Sequence, residues 1–397
     1  MHCFNMMRSL MDAGNAVTLL TDRQVDPQLA TELHKAEFRT LEDQEWKVDT
    51  SSESVKLVGL QKRFANYWGA DQKRLQTFAL AVNKISADVL VCVGPLGPLM
   101  ATSVLADSEY YRKTPPTTVW YAADDLALLH LTLARRGESL ANLKRAFTMA
   151  MYERAFCKRL DAVWVVSESD AKALSIFSGS SRVAIVRNGV DLDYFAPLNV
   201  AFPSVEADEY SCVFWGALDF APNRDAVCWF VRHVWPGVRR INRDAKFRIL
   251  GLRPPDEIKR MDGSDGITVK ANVPDLRPEI ARNQIAVFPF ISGAGIKNKV
   301  LESAALGLAS IGSGRAFNGL VPKHQVPMIR ANHSSSWQAE LHRLWCDQQA
   351  RRENGRSLRE WVTANHSWPS AAKSAERSIR PDGDGATQIE STTATIS

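Results

Sequence analysis

The sequence predicts an α/β protein of two lobes, each a parallel sheet covered by helices. Three observations support this fold class. Short apolar runs alternate with helical patterns along most of the chain, as expected for strands buried on both faces of a parallel sheet. This alternation stops at residues 196–209, where prolines occur without a clear period, and then restarts. The chain of 397 residues is also too long for one typical core.

The first lobe is predicted to hold six apolar strands separated by helices, for example over residues 73–84 and 140–159. The strands are predicted at 16–21, 55–58, 89–93, 118–122, 162–166 and from 183 to an Asn-Gly turn. A nucleotide-binding lobe of this class usually opens with a strand, a glycine-rich turn and a helix. This chain begins inside a helical pattern at residues 4–13, so the N-terminal lobe is expected to lack its first strand.

The second lobe repeats the same alternation. Its strands are predicted at 212–216, 246–251, 267–270, 285–290 and 308–312, and its helices at 225–234, 299–306, 335–346 and 349–363. We therefore predict an N-terminal, acceptor-side domain over residues 1–196 and a C-terminal, donor-side domain over 209–373. Residues 374–397 are polar and rich in Ser and Thr, and are predicted to be a disordered tail.

The cysteines, the apolar runs and the net charge limit the kinds of protein that this sequence can encode. The six cysteines form no C-x-x-C pair and have no neighbouring His cluster, so they indicate buried thiols in a reducing compartment and no zinc site. Apolar runs do not reach the length of a membrane span, and the N-terminus lacks a signal-peptide pattern. We expect a cytoplasmic protein without a nucleic-acid partner. The net charge of +5 leaves attachment to an anionic membrane face open.

The strongest local signal lies between a strand and a helix. Gly293 and Gly295 form a Gly-x-Gly turn, Lys297 and Lys299 stand at the start of the helix, and Glu302 follows one turn later. Glycines and a helix N-terminus accommodate a phosphate, and a carboxylate so placed can bind ribose hydroxyls. The alternative is an ordinary helix start with solvated lysines and a surface Glu–Lys pair. Spacing alone does not decide, because Gly-x-Gly is a weak signal.

This segment resembles the donor-site motif of the retaining glycosyltransferases of family four, whose two Rossmann-like lobes form the GT-B architecture. It is most similar to members that make bacterial exopolysaccharides and carry a G-x-G-I-K-x-K-V-L-E form. Other landmarks of the family follow in its order, at residues 187–191, 216–225, 271–276, 317–320 and 366–368. The similarity extends from about Gly14 to Trp368. Each piece is weak by itself, but together and in order they are specific.

The resemblance implies a nucleoside diphosphate sugar as donor, bound in the second lobe, and transfer with retention of configuration. It implies no metal ion and no cofactor. It implies a ribose contact at Glu302, diphosphate contacts at Arg224, Lys297 and Lys299, backbone N–H donors at Gly293 and Gly295, and a border for the base from Asn272 to Asp275.

Two positions depart from the family pattern. The wider family carries the glutamate pair E-x7-E, and Ala294 stands at the first of these positions, so only Glu302 is present. An arginine often follows the glycine of the phosphate-side loop, where this chain has Ala217. The positive charge would then come from Arg224 and the two lysines.

In the first lobe, Asp124, Asp125 and His130 follow a predicted strand at its carboxyl edge, which faces the ligand crevice in a doubly wound sheet. Asp125 and His130 are the candidate catalytic residues, in contact with the acceptor or the donor sugar. The alternative is a helix N-cap by either aspartate and a surface histidine. Residues 135–136 and 144–145 are basic pairs, which suit either anionic lipids or a solvated helix face.

The sequence thus predicts a retaining, hexosyltransferase-like enzyme that moves a sugar to a polysaccharide or lipid-linked acceptor, at the inner face of the membrane if it is attached there. The alternative is a degenerate, non-catalytic partner subunit or an N-terminally truncated product. The expected absence of the first strand motivates that alternative, because a central strand normally covers apolar neighbours.

Overall fold

The computed structural model describes residues 2–21, 31, 33, 35–41, 59–105, 115–122, 127, 130–131, 140–179, 182–293 and 295–379. The chain divides into two compact units. The first unit comprises Met1–Arg187 with Ala371–Ser397, and the second comprises Asn188–Ser370.

The described part of the first unit contains two parallel sheets. Its strands are β1 (Thr18–Thr21), β2 (Glu37–Thr40), β3 (Val89–Val93), β4 (Thr117–Ala122), β5 (Ala162–Val165) and β6 (Val183–Ile185). Its helices are α1 (His2–Asp12), α2 (Leu60–Trp68), α3 (Gln72–Ile85), α4 (Gly97–Leu105), α5 (Leu140–Phe156) and α6 (Glu168–Ser178). Strands β3 to β6 pair in sequence order, whereas β1 pairs with β2 in a separate sheet.

The sequence predicted one sheet in this unit, whereas the described strands form two. Strand β3 is an edge strand of the larger sheet and pairs only with β4 among the described strands, and β1 pairs only with β2. The chain opens on α1, as the pattern predicts. Strand β2 was missed, since its sequence Glu-Phe-Arg-Thr has no apolar run. The strand predicted at 55–58 lies outside the described residues. In the larger sheet, helices α3 and α4 cover the strands with Phe78, Val82 and Ala101.

The second unit is one sheet of six parallel strands between helices. Its strands are β7 (Ser211–Ala217), β8 (Lys246–Leu252), β9 (Ile267–Ala271), β10 (Ile285–Phe288), β11 (Ala309–Gly312) and β12 (Ile329–Arg330). Its helices are α7 (Leu198–Ala201), α8 (Ala221–His233), α9 (Trp235–Ile241), α10 (Asp256–Lys259), α11 (Arg277–Ala281), α12 (Asn298–Ala305), α13 (Ser334–Cys346) and α14 (Gln348–Asn365). The last helix, α15 (Trp368–Ile379), begins in this unit.

Strand order fixes where a ligand can bind in the second unit. The order is β12-β11-β10-β7-β8-β9, so the chain builds outward from β7 in one direction and then from β10 in the other. This is the doubly wound order, and its ligand crevice lies at the carboxyl ends of the two central strands. Every residue of β10 and β11 is buried, which is why both read as continuous apolar runs.

The stretch predicted to link the two domains packs within the second unit. The backbone N–H of Leu198 donates to the Leu306 carbonyl at 3.1 Å, and that of Asp208 to the Arg282 carbonyl at 2.9 Å. Just before this stretch, Arg359 donates to the carbonyls of Leu192 and Phe195. Prolines break the period of this segment, but its backbone is held by the unit that follows it.

Helix α15 continues six residues into the segment predicted to be disordered, which began at residue 374. Ala375 is buried, Ser374 donates its hydroxyl to the Ile185 carbonyl, and Ser378 accepts from the Trp164 indole at 2.7 Å. These contacts order the helix although its sequence is polar. Residues 380–397 lie outside the described part of the chain.

Three of the predicted buried thiols are buried and three are not. Cys92, Cys157 and Cys212 are buried, Cys3 and Cys228 are partly exposed, and Cys346 is exposed on α13. All six are free. Within the described residues no helix has both the length and the apolarity needed to cross a membrane. Those residues also contain no group of three or more His, Cys, Asp or Glu side chains placed to hold a metal ion.

Candidate functional site

The candidate site lies where β7 and β10 end. Strand β7 ends at Ala217 and leads through a short loop into α8; β10 ends at Phe288 and leads through residues 289–297 into α12. Ala294 of this second loop lies outside the described residues. Since the two strands are neighbours in the sheet, their loops emerge side by side at the switch point.

Glycines in both loops let the backbone lie close to Lys297 and Lys299. Gly293 has φ +89°, and a Cβ atom there would lie 3.0 Å from Lys297 Nζ. Gly216 has φ +149°, and a Cβ atom there would lie 3.0 Å from Lys299 Cε. Both conformations favour glycine. The loops therefore bring the two lysines against backbone, which is the arrangement expected where a phosphate must come close.

Lys299 joins the two loops. Its Nζ donates to Asn223 Oδ1 at 2.7 Å, and Asn223 Nδ2 in turn donates to the Ala217 carbonyl at 2.8 Å. The same ammonium lies 5.3 Å from the ring centre of Phe214 and 5.1 Å from that of Phe290. Burial among these groups, together with the charge of Lys297, lowers the pKa of Lys299 to about 8, against the opposing effect of Glu302.

Glu302 is held by one of its two carboxylate oxygens. Trp215, on β7, donates its indole N–H to Glu302 Oε2 at 2.7 Å. Burial raises the pKa of Glu302, and the Trp215 hydrogen bond and the Lys299 charge limit that rise. Among the residues that the structure describes, none donates to the other oxygen, Oε1. Since the residue is only partly buried by its neighbours, that oxygen can accept a hydrogen bond from a ligand.

Lys297 is the N-cap residue of α12, and Gly295 lies two residues before it. Lys297 Nζ donates to the Gly295 carbonyl at 2.6 Å and lies 5.5 Å from the centre of the Phe290 ring. The structure therefore brings together Gly293, Gly295, Lys297, Lys299 and Glu302, as the motif predicts.

Arg224 lies on the first turn of α8, and its guanidinium is directed at two carboxylates of the protein. Its Nη2 lies 3.4 Å from Asp225 Oδ1, and its Nε lies 3.4 Å from Glu257 Oε1. To contact a diphosphate it would have to exchange these partners. The two lysines are thus the better-placed cations of the predicted set.

The two residues predicted beside the base have structural roles in the loop after β9. Asn272 adopts φ +55°, and its Oδ1 accepts from the Arg253 backbone N–H at 3.3 Å. Asp275 pairs with Arg277, whose Nε and Nη2 lie 3.0 Å and 2.8 Å from its oxygens. This pair lowers the pKa of Asp275.

Arg277 also connects this loop to the segment before α7. It donates to the Tyr194 carbonyl at 2.7 Å, and its guanidinium lies 3.7 Å from the centre of the Tyr194 ring. Tyr194 is partly exposed. Asp275 therefore shapes the loop through Arg277.

Sequence reasoning missed the side chains that orient the predicted residues. Trp215 lies in the strand predicted at 212–216 and is buried, yet its indole N–H is directed at Glu302. Asn223 lies within the family landmark at residues 216–225, but the landmark did not indicate a role for its side chain. The signal that could have found them is their position, since Trp215 lies near the carboxyl end of β7 and Asn223 lies on the first turn of α8.

The first-unit candidates are partly described. Asp125 lies outside the described residues. His130 is partly buried; burial and the Arg145 charge lower its pKa, and a hydrogen bond with Asn142 opposes the shift. The lowered pKa favours the neutral imidazole, and its buried Nδ1 has no hydrogen-bond partner among the residues that the structure describes. Within those residues, no contact of His130 assigns it a role in proton transfer.

Comparison with known proteins agrees with this geometry. Residues 209–347 match the family model described as Glycosyl transferases group 1. This segment is similar to group 1 glycosyltransferase domains. It contains β7, β10, both loops and all eight residues predicted to bind the donor. No curated protein sequence matches the chain.

Solved structures of similar fold cover most of the chain. Sucrose-phosphate synthase from Thermosynechococcus elongatus has 15% identity and a TM-score of 0.64, over 94% of this chain and 90% of that one. Anabaena Alr3699/HepE, solved with UDP and glucose, has 10% identity and a TM-score of 0.62, over 95% of each chain. S. aureus TarM has 12% identity and a TM-score of 0.59 over 78% of this chain, which spans 59% of TarM.

At these identities the likeness establishes the fold. The predicted fold class is confirmed: the chain is a mixed α/β protein with parallel sheets and two Rossmann-like lobes, as in GT-B glycosyltransferases. Membership of family four, retention of configuration and a role in exopolysaccharide synthesis remain predictions.

Proposed function

We propose that the chain is a glycosyltransferase that binds a nucleoside diphosphate sugar in its second unit and transfers the sugar to a polysaccharide or lipid-linked acceptor with retention of configuration. One observation carries the proposal. A lysine and a carboxylate with an available oxygen, Lys299 and Glu302, converge at the switch point of a doubly wound sheet. The group 1 glycosyltransferase match over the same residues supports it.

The lysines would act on the leaving group. When the bond from the anomeric carbon to the β-phosphate oxygen breaks, its electron pair passes to the diphosphate. Positive groups fixed where this charge develops stabilise the transition state. Lys297 and Lys299 supply that charge, and the backbone around Gly293 and Gly295 supplies N–H donors. The proposal needs no metal ion, and Arg224 is a secondary cation that must first leave Glu257.

Glu302 would bind the ribose. Its Oε1 accepts a hydrogen bond from a ribose hydroxyl while Trp215 holds Oε2 in place. Residues 272–275 would border the base, with Asp275 fixing the loop through its pairing with Arg277. Since Alr3699/HepE was solved with UDP and with UDP-glucose, uridine nucleotides are the first donors to test.

The acceptor would approach the first unit. Asp125 and His130 are our candidates for contacts with the acceptor or the transferred sugar. We place the reaction in the cytoplasm, at the inner face of a membrane when the acceptor is lipid-linked.

Calorimetric titration with UDP, GDP and ADP tests the donor site. We expect one nucleotide to bind the wild type, and Glu302→Ala to weaken that binding by roughly ten- to a hundredfold, as expected when a hydrogen bond to a charged group is lost. Glu360→Ala, an exposed carboxylate on α14, should bind like the wild type. Unchanged affinity in Glu302→Ala would overturn the ribose assignment.

The departures at Ala217 and Ala294 favour a second candidate, a partner subunit that binds the nucleotide without turnover. Hydrolysis and transfer assays with the nucleotide sugar separate the two. Binding together with sugar release supports the enzyme, whereas tight binding with neither release nor transfer supports the partner subunit.

A further inference from the structure

Helix α5 in the first unit is apolar on two opposite faces. One face is buried and includes Met149, Tyr152 and Phe156. The other exposes Leu143 and Phe147, whose side chains are 51% and 68% accessible, with Met151 one turn further along. Residues spaced by four lie on one side of a helix, so these three form a stripe. A helix that is apolar all round needs a second apolar partner.

The end of helix α6 extends this stripe. Ile176 is 65% exposed, and the neighbouring Phe177 lines a shallow groove of about 680 Å³ with Phe147, Ala150 and Leu143. Single exposed apolar residues are ordinary, but a contiguous apolar patch marks an interaction site. We define the α5–α6 patch as Leu143, Phe147, Met151, Ile176 and Phe177.

Three cations lie around the α5–α6 patch in the part of the chain that the structure describes. Lys144 and Arg154 lie on the exposed side of α5, and Lys172 lies one turn before Ile176 on α6. Within the described part of the chain, none of these three forms an ion pair. The carboxylate of Glu153 is buried on the opposite side of α5, and the exposed Glu168 on α6 is paired with Arg187 at 3.1 Å.

We propose that the α5–α6 patch docks on an anionic lipid bilayer. Leu143, Phe147 and Ile176 enter the boundary between headgroups and acyl chains, and the three cations contact anionic headgroups. Amphipathic surfaces of this composition bind membranes through buried apolar area and electrostatic attraction. A second copy fits less well, because a symmetric dimer would place two identical patches in contact, and the positive charges of both would lie in one interface.

This inference rests on the proposed function in one respect, since a lipid-linked acceptor gives the docking its purpose. The binding itself is measurable without any nucleotide. A lipid surface at α5 would hold the first unit beside such an acceptor without a membrane-spanning helix.

Vesicle flotation of the full chain tests the proposal. The probes are vesicles of phosphatidylcholine alone and vesicles that also contain phosphatidylglycerol. The wild type should float with the anionic vesicles and not with the neutral ones, and salt should release it, since salt screens surface charge. Absence of flotation with anionic vesicles, or equal flotation with both, would overturn the proposal.

Two variants separate the apolar and charged contributions. Leu143→Ser with Phe147→Ser should abolish flotation, and Lys144→Gln with Arg154→Gln should weaken it on the order of fivefold per cation removed. Val200→Ser, at a 67% exposed apolar residue of the second unit, is the matched control and should float normally. Each variant must keep the wild-type melting temperature.

Two further results distinguish a lipid surface from a second copy of the chain, and the docking proposal from the proposed function. A concentration-dependent dimer, seen by light scattering and lost in the double serine variant, would assign the patch to a second copy and contradict the lipid proposal. Glu302→Ala should float like the wild type. Normal flotation of a chain that binds no nucleotide would sink the proposed function and leave the docking surface intact.

Discussion

Lys299 Nζ lies 2.7 Å from Asn223 Oδ1, and this one hydrogen bond joins the loops that follow the two central strands of the second unit. Because Asn223 is in turn fixed to the end of β7 through the Ala217 carbonyl, the ammonium is held at the switch point before any ligand arrives. Positioning of this kind lowers the cost of ordering the side chain when a diphosphate binds.

Lys299→Met should weaken binding of the nucleoside diphosphate by roughly ten- to a hundredfold, since a hydrogen bond from a charged donor is lost. Calorimetric titration measures the change. Lys259→Met, an exposed lysine on α10, is the control and should leave affinity unchanged. If the two variants bound the nucleoside diphosphate with equal affinity, Lys299 would not be a contact of the diphosphate.

Affinity for the diphosphate should fall as pH rises through about 8, because the pKa of Lys299 lies there and the ammonium loses its charge above it. A diphosphate keeps its full charge over this range, since phosphate groups titrate nearer pH 6. Lys299→Arg should bind with little change from pH 7 to 9, as a guanidinium stays charged. A wild-type affinity that is flat across that range would show that Lys299 does not contact the diphosphate.

Trp215→Phe keeps an aromatic side chain but removes the indole N–H that donates to Glu302 Oε2. We expect weaker nucleotide binding together with a lower melting temperature, because a buried carboxylate oxygen is left without its partner. Trp235→Phe is the matched control. It removes a similar buried indole hydrogen bond, to the Asp265 carbonyl at 2.9 Å, and should lower stability without changing affinity. Similar affinities in both variants would mean that Trp215 does not position Glu302.

Gly293→Ala should weaken nucleotide binding more than it destabilises the fold. The new methyl group would lie 3.0 Å from Lys297 Nζ in a backbone conformation with φ +89°. Gly263→Ala carries a comparable conformational cost at φ +75°, with nothing within 4 Å of the added Cβ. Melting temperatures should fall similarly in both, by an amount that reflects about 1 kcal/mol of backbone strain. Only Gly293→Ala should bind the nucleotide more weakly. A normal affinity for the nucleotide in this variant would contradict the phosphate-binding role of the loop.

Asp275→Asn tests the structural role of the loop after β9. The pairing with Arg277 depresses the pKa of Asp275, so its stabilising effect is present above the ordinary aspartate pKa and is lost as pH falls through the depressed value. The wild type should therefore melt above the variant at neutral pH, and the difference should shrink in acid. A difference that is independent of pH would exclude the charged pair as its cause.

Much of the second unit could be predicted from sequence, because its buried parallel strands are continuous apolar runs. Strands β7 and β10 were predicted almost to their ends, and the Gly-x-Gly motif placed Lys297 at the N-cap of α12 and Lys299 and Glu302 within it. Strand β12 was missed, since two residues carry no pattern.

Pairings between distant residues were beyond such reasoning. Arg224 was predicted to meet the diphosphate, yet Glu257 lies 3.4 Å from it. Local spacing predicts which face a side chain occupies, whereas its charged partner depends on how separate loops meet.

Comparing UDP with 2′,3′-dideoxy-UDP in the wild type and in Glu302→Ala tests the central claim most directly, if UDP is the nucleotide that binds. If Glu302 Oε1 accepts from a ribose hydroxyl, the wild type should bind UDP roughly ten- to a hundredfold more tightly than the dideoxy analogue. In Glu302→Ala the two ligands should bind equally. A preference for UDP that persists unchanged in Glu302→Ala would contradict the account, because the ribose would then be bound elsewhere.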